Sequence, residues 1–186
     1  MLKRLFGRRR TVSRVIVDRL YAQIVAAARQ PELYSDWNVP DTPLGRFEMV
    51  GLHLFLFLHR VRGETGVIRD VAQELTDEFF RDVEHSIREL GISDPGVPKR
   101  MKRLASMFYG RVASYGDAID AADRKALAEA ISRNVRPGVE GWNEADRLAI
   151  YVMAAATRLA EQSTEALLEA GMEFPAPLSV AGERNE

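Results

Sequence analysis

"MVGLHLFLFL", residues 49–58, is the stretch on which the reading of this chain turns. It is apolar nearly all round a helix, and an element apolar on every side must be surrounded by other elements. It reaches only about half of the ~20 residues that a membrane crossing needs. Arg46 and Arg60 bracket it closely. It therefore reads as the central helix of a water-borne core. Thr42 and Pro43 supply an N-cap and a first-turn proline. Gly63 closes the pattern just after Arg62.

Working outward, the period stays helical, and no stretch alternates like a half-buried strand. A first helix is expected from about Ser13 to Gln30, with Val15, Ile16, Leu20 and Ile24 on one face and Pro31 as its stop. "PELYSDWNVPD" (31–41) reads as a loop of turn formers. A third helix, about Val67 to Leu90, carries Ile68, Val71, Leu75, Phe79, Val83, Ile87 and Leu90 at three- and four-residue steps, with Gly91 as its cap. "ISDPGV" is a turn, and Pro98 opens a fourth helix that ends near Gly116. A shorter helix is expected over about Ala122–Asn134, broken by "VRPGVEGW". The last runs from Asn143, with Asp146 completing a variant capping box, to Ala170 and stops at Gly171. "MEFPAPLSVAGERNE" has no period and reads as a mobile tail. The expectation is one all-α domain of about six helices: a basic segment over 1–12, a helical body over 13–171 and a flexible tail over 172–186. Its core should include Leu54, Phe55, Leu58, Leu75, Phe79, Leu104 and Phe108.

The chain has 186 residues, the size of one domain. With 26 Lys and Arg against 27 Asp and Glu, it has no global pull toward nucleic acid or anionic lipid. Any such attraction is local. "VPKRMKRLASMFYGRVASYG" (97–116) holds Lys99, Arg100, Lys102, Arg103 and Arg111 and no acid. At 100° per residue Lys99, Arg100, Lys102 and Arg103 share one side, opposite Met101, Leu104, Ala105, Phe108, Val112 and Tyr115, with Tyr109 at the edge. A solvated face is one reading. A stabilising exposed face normally mixes acids and bases at four-residue spacing, and cations at a helix N-terminus work against its dipole. An anionic partner is the other reading, with phosphate of RNA or lipid headgroups fitting best.

A second cluster, "MLKRLFGRRRTVSR", puts six bases and no acid in 14 residues. It reads as a cationic tail, a targeting segment or an interfacial anchor. In the last case Leu2, Lys3, Arg4, Leu5, Phe6, Arg8, Arg9 and Arg10 would contact an anionic membrane surface, each base adding roughly 1 kcal/mol.

Catalytic patterns are sparse. Cysteine is absent, which removes thiol chemistry, cysteine metal sites and disulfides, and fits a reducing compartment. His53 and His59 stand about 240° apart on their helix and cannot share a metal. Asp82-x-x-His85 is a single copy with the wrong acid for a di-iron bundle. There is no Gly-rich phosphate loop and no G-x-S-x-G. The expectation is a non-enzyme without cofactor or metal; a helical redox or quinone enzyme is the weakest alternative.

"WNVPDTPLGRFEMVGLHLFLFLHRVR" (37–62) and "FFRDVEHSIRELGISDPGVPKRMKRLASMFYGRVASY" (79–115) resemble the ubiquinol–cytochrome c chaperone family, over residues 32–116 well and the last helix loosely. Pro98 departs from the pattern, where a small flexible residue is expected. The resemblance implies an assembly factor whose client is newly made cytochrome b, working with a small partner protein at the ribosome or an anionic membrane surface, and no DNA. It implies a bacterial homologue, because the long N-terminal extension of mitochondrial members is lacking, and a cytoplasmic protein peripheral to the inner membrane. Lys99, Arg100, Lys102, Arg103, Tyr109 and Arg111 would then form the partner-binding face. Leu33, Tyr34 and Trp37 would rim an apolar client groove, or else tuck their loop onto the core. A ribosome-, RNA- or membrane-surface-binding helical module without a dedicated client remains the second reading.

Overall fold

A computed structural model of the chain describes the backbone of residues 2–91 and 94–177 and the side chains of residues 14–91 and 95–177. Among the described residues there is no strand. The helices are α1 (Leu2–Ala28), α2 (Pro31–Ser35), α3 (Pro43–Arg60), α4 (Val67–Glu89), α5 (Val97–Asp120), α6 (Arg124–Val135), α7 (Glu144–Ala160) and α8 (Thr164–Glu169), with a 3₁₀ turn at Asp94–Gly96.

α3 sits in the middle, packed by α1, α4, α5, α6 and α7. From Phe47 to Phe57 every residue but Val50 is buried. This follows from its all-round apolar surface: a helix with no polar face stays out of water only by being enclosed. Thr42 Oγ1 accepts the Gly45 N–H at 3.1 Å, which is the N-cap expected from the sequence. Gly45 is required there, because a β-carbon would lie 1.9 Å from the Pro40 carbonyl oxygen. An aromatic cluster joins α3, α4 and α5. Phe47 stacks on Phe79 with ring centres 5.4 Å apart, and Phe79 meets Phe108 at 5.2 Å. Leu54, Phe55, Leu75, Phe79 and Phe108 are core residues, whereas Leu58 and Leu104 are only half-buried.

Several boundaries differ from expectation. α1 starts at Leu2 and runs through the division drawn at residue 12, since Gly7 is its only breaker before Pro31. α5 continues past Gly110 and Gly116 to Asp120, because a glycine inside a helix costs only about 1 kcal/mol and does not end it. Pro98 lies in its first turn, where a missing N–H is no loss. Pro31 starts the one-turn α2 inside the expected loop. The long last helix is two: Ser163 Oγ accepts the Ala166 N–H at 3.1 Å and starts α8 anew. Asn143 stands just before α7 with helix-like backbone angles and makes no capping bond.

The first residues of the expected tail are packed. Met172 is buried, and its N–H donates to Gln23 Oε1 on α1 at 3.0 Å. The Phe174 ring stands edge-on to His53 at 5.1 Å. Arg19 on α1 donates to the carbonyls of Leu168 and Glu169 at 2.5 and 2.7 Å, filling acceptors that the end of α8 leaves open. Arg60 does the same at the end of α7, reaching Leu159 and Gln162.

Candidate functional site

A cleft of about 710 Å³ opens between the N-terminal parts of α3 and α5 and the C-terminal half of α4. Phe47, Val50, Phe79, Val83, Ile87 and Leu104 are its apolar lining. Leu44 and Leu90, large apolar side chains left 44% and 59% exposed, belong to the same lining. Toward their C-terminal ends α3 and α5 meet, with Phe55 against Tyr115 at 5.7 Å and His59 beside Asp120 at 3.0 Å. Charge gathers along the cleft. Arg29, Arg46, Arg100 and Arg103 line it, with Asp82 and Glu89 as the acids. Asp82 accepts the Tyr21 hydroxyl at 2.9 Å, and Asp41 holds Arg46 at 2.7 Å.

The basic face is placed as its spacing implies, with one correction. Lys99, Arg100, Lys102 and Arg103 are exposed, and none makes an ion pair among the described residues. Arg100 and Arg103 line the cleft, whereas Lys99 and Lys102 do not. Tyr109 is 56% exposed, its ring 6.3 Å from that of Phe80. Arg111 is not a free cation. Its Nε and Nη2 donate to the two carboxylate oxygens of Glu48 on α3, each at 2.6 Å, in a site where the Glu48 side chain is 1% exposed. The sequence carried a signal for this pair: Glu48 is a lone acid inside an apolar helix, and a buried carboxylate needs a base. Burial pushes the Glu48 carboxyl up to about 7, while Arg111 pulls it down.

Of the expected groove rim only Tyr34 lies at the cleft. Its hydroxyl donates to the Ala28 carbonyl at 2.7 Å, and burial raises its pKa above the usual phenol value. Leu33 and Trp37 are buried core residues. Trp37 meets Tyr151 edge-on at 5.8 Å, and its carbonyl accepts the Trp142 indole N–H at 3.0 Å. Their apolar area belongs to the loop's own anchorage. Arg29, Leu44, Arg46, Val50 and Asp82 were not legible as cleft residues, since two helices and the turn after α1 bring them together. Leu2, Lys3, Arg4, Leu5, Phe6, Arg8, Arg9 and Arg10 lie outside the residues whose side chains are described.

His53 is fully buried and satisfied. Nδ1 lies 2.8 Å from the Met49 carbonyl and Nε2 2.8 Å from the Tyr151 hydroxyl. A carbonyl can only accept, so Nδ1 carries the proton and Nε2 accepts from Tyr151. Burial holds its pKa down at about 4, so the ring is neutral. Among the described residues no group of three or more His, Asp or Glu is placed to hold a metal ion. No helix among them is long and apolar enough to cross a membrane.

This chain is 52% identical to the chain described as the Cbp3 homolog from Brucella abortus, whose crystal structure superposes with a TM-score of 0.88, covering 95% of this chain and 98% of that one. It is 26% identical over 117 residues to ubiquinol-cytochrome-c reductase complex assembly factor 1 of Xenopus laevis, a match over 63% of this chain and 58% of the length of that relative. The model of the ubiquinol-cytochrome C chaperone family matches residues 35–174, which take in the cleft lining other than Arg29 and Tyr34, the aromatic cluster beneath it and the basic helix, and the chain belongs to that family.

Proposed function

We propose that this protein is a non-enzymatic assembly factor of ubiquinol–cytochrome c reductase that holds an apolar subunit, newly made cytochrome b, until its partners arrive. The observation that carries this reading is the apolar trough beside unpaired arginines in a member of this chaperone family. A trough of this kind suits an apolar helix laid in a groove. A holdase needs no nucleotide: it binds the unassembled form and loses it by mass action when assembly offers a tighter partner. The outward lysines, Lys99 and Lys102, would place the domain against the phosphates of a ribosome or an anionic inner-membrane surface, as a peripheral protein, with a small partner protein beside it.

The test is a reduced-minus-oxidised spectrum of membranes from a deletion strain grown by respiration. Cytochrome b absorbance and reductase activity should fall while the messenger level stays unchanged. Wild-type protein should restore them, and Val83→Asp, which puts a carboxylate on the apolar lining, should restore less at equal expression and equal helix content. A normal cytochrome b signal in the deletion strain removes the client. Full rescue by folded Val83→Asp removes the cleft.

A further inference from the structure

We infer that the cleft receives an apolar helical segment bearing a carboxylate, and that Arg100 and Arg103 grip that carboxylate. This rests on the reading of the cleft as the client site and adds the chemistry of its occupant.

The pattern is laid out along α5. Arg100, Leu104, Met107 and Arg111 follow steps of four, three and four residues and so form one stripe on the helix. At the inner end of the stripe Arg111 is closed by Glu48, a carboxylate delivered from an apolar helix. At the outer end, about 16 Å away at 1.5 Å per residue, Arg100 stands beside Arg103 with no acid among the described residues. Between them Leu104 and Met107 line the cleft. α3 thus supplies an apolar surface with an acid to one half of the stripe, and the other half presents the same arrangement without one.

The remaining charges on the lining favour the same occupant. Asp82 is held by Tyr21, Arg46 by Asp41, and Glu89 faces His85 at 3.2 Å. Arg29, Arg100 and Arg103 have no acidic partner among the described residues, so the cleft is left with a surplus of positive charge. The division of labour on α5 points the same way. The arginines line the cleft and the lysines do not, and the planar guanidinium fork is the group that takes a carboxylate through two hydrogen bonds. A nucleic-acid backbone would need no apolar trough, and its bases would want an exposed aromatic to stack on; Tyr109 is not part of the lining.

The experiment uses the whole chain and three fluorescent helical peptides of leucine and alanine. The first carries two glutamates three residues apart, matching the Arg100–Arg103 step; the others carry glutamine or lysine at those places. The glutamate peptide should bind most tightly and the lysine peptide at least about tenfold more weakly. The variant Arg100→Glu/Arg103→Glu should invert that order, an exchange that misfolding cannot produce. Equal binding of all three peptides overturns this inference while leaving the cleft as an apolar site. Binding of none overturns the cleft reading itself. If vesicles of phosphatidylcholine doped with phosphatidylglycerol, or ribosomal RNA, bind through Arg100 and Arg103 while the glutamate peptide binds no better than the glutamine one, the ligand is a phosphate and the carboxylate is wrong.

Discussion

Arg111 on α5 and Glu48 on α3 meet as a closed fork, two N–H donors on two carboxylate oxygens at 2.6 Å each, although 63 residues separate them. The pair sits where α3 is otherwise apolar, so each charge depends on the other. Removing one partner of such a pair strands the other in a medium that solvates it poorly, at about 3–5 kcal/mol. Arg111→Ala should lose stability in that range in urea unfolding. Replacing both residues, Glu48→Leu with Arg111→Met, should cost less than the single change. A double variant as damaged as Arg111→Ala would mean that the pair contributes through more than its charges.

Acid and base should act in opposite directions on this fold. Burial raises Glu48 from 4.5 to about 7, so the native state holds an extra proton between those values and this contribution is lost as pH rises through about 7. Burial lowers His53 from 6.5 to about 4, so its contribution is complete above 6.5 and is lost as pH falls toward 4. Relative to wild type, Glu48→Gln should therefore lose stability more steeply on acidification between pH 6.5 and 4.5, and His53→Phe should lose it more steeply on going up through that same interval, where His53 no longer offsets the Glu48 loss. Urea midpoints across that range read both slopes. Parallel curves would contradict the burial argument.

Neighbouring aromatics on α5 should differ sharply. Phe108 is 1% exposed against Phe79 and Gly51, and Phe108→Ala should cost about 3–5 kcal/mol. Tyr109→Ala should stay within about 1 kcal/mol, since its ring is mostly in water. Leu33→Ala should cost about 2–5 kcal/mol, as befits a core residue. Thermal or urea melts separate these cases.

Gly45→Ala should destabilise by more than about 1 kcal/mol, because the new methyl would press on the backbone oxygen of Pro40 and that atom cannot swing aside. The visible sign should be a changed Trp37 fluorescence, since the displaced loop carries that indole. An unchanged melt and spectrum would show that the loop yields freely.

Lys99→Glu/Lys102→Glu should leave the fold intact and weaken sedimentation with ribosomes or anionic vesicles. Wild-type binding should drop steeply with salt. Sedimentation equal to wild type in both assays would return these lysines to the status of a solvated face.

What could be read in the sequence was what depends on period. The enclosure of α3, the Thr42 cap, the Gly91 stop and the inward face of Phe79 and Phe108 all follow from spacing alone. The division of Lys99 and Lys102 from Arg100 and Arg103 did not, because it depends on where α4 lies across α5. Glu48 stands out in the sequence as a lone acid in an apolar helix, but its partner Arg111 does not, for the same reason: a helical wheel treats each helix alone. Leu33 and Trp37 were ambiguous because a loop has no period from which to tell inside from outside. Ser163 does not read as a cap, because the apolar pattern continues on both sides of it.

The grip of Arg19 and Gln23 on Leu168, Glu169 and Met172 bears on how this protein is made. Those contacts join residues about 150 positions apart. While the chain is being synthesised Arg19 and Gln23 lack these partners until Met172 has left the ribosome, whereas Tyr21 can meet Asp82 on α4 earlier. The apolar face of α1, Val17, Leu20 and Ile24, can meet α3 and α4 earlier, but the lock closes last. A nascent copy therefore lacks this lock until Met172 has been made, and premature termination before Met172 should yield a species that opens at α1 first, detectable as rapid hydrogen exchange confined to that helix.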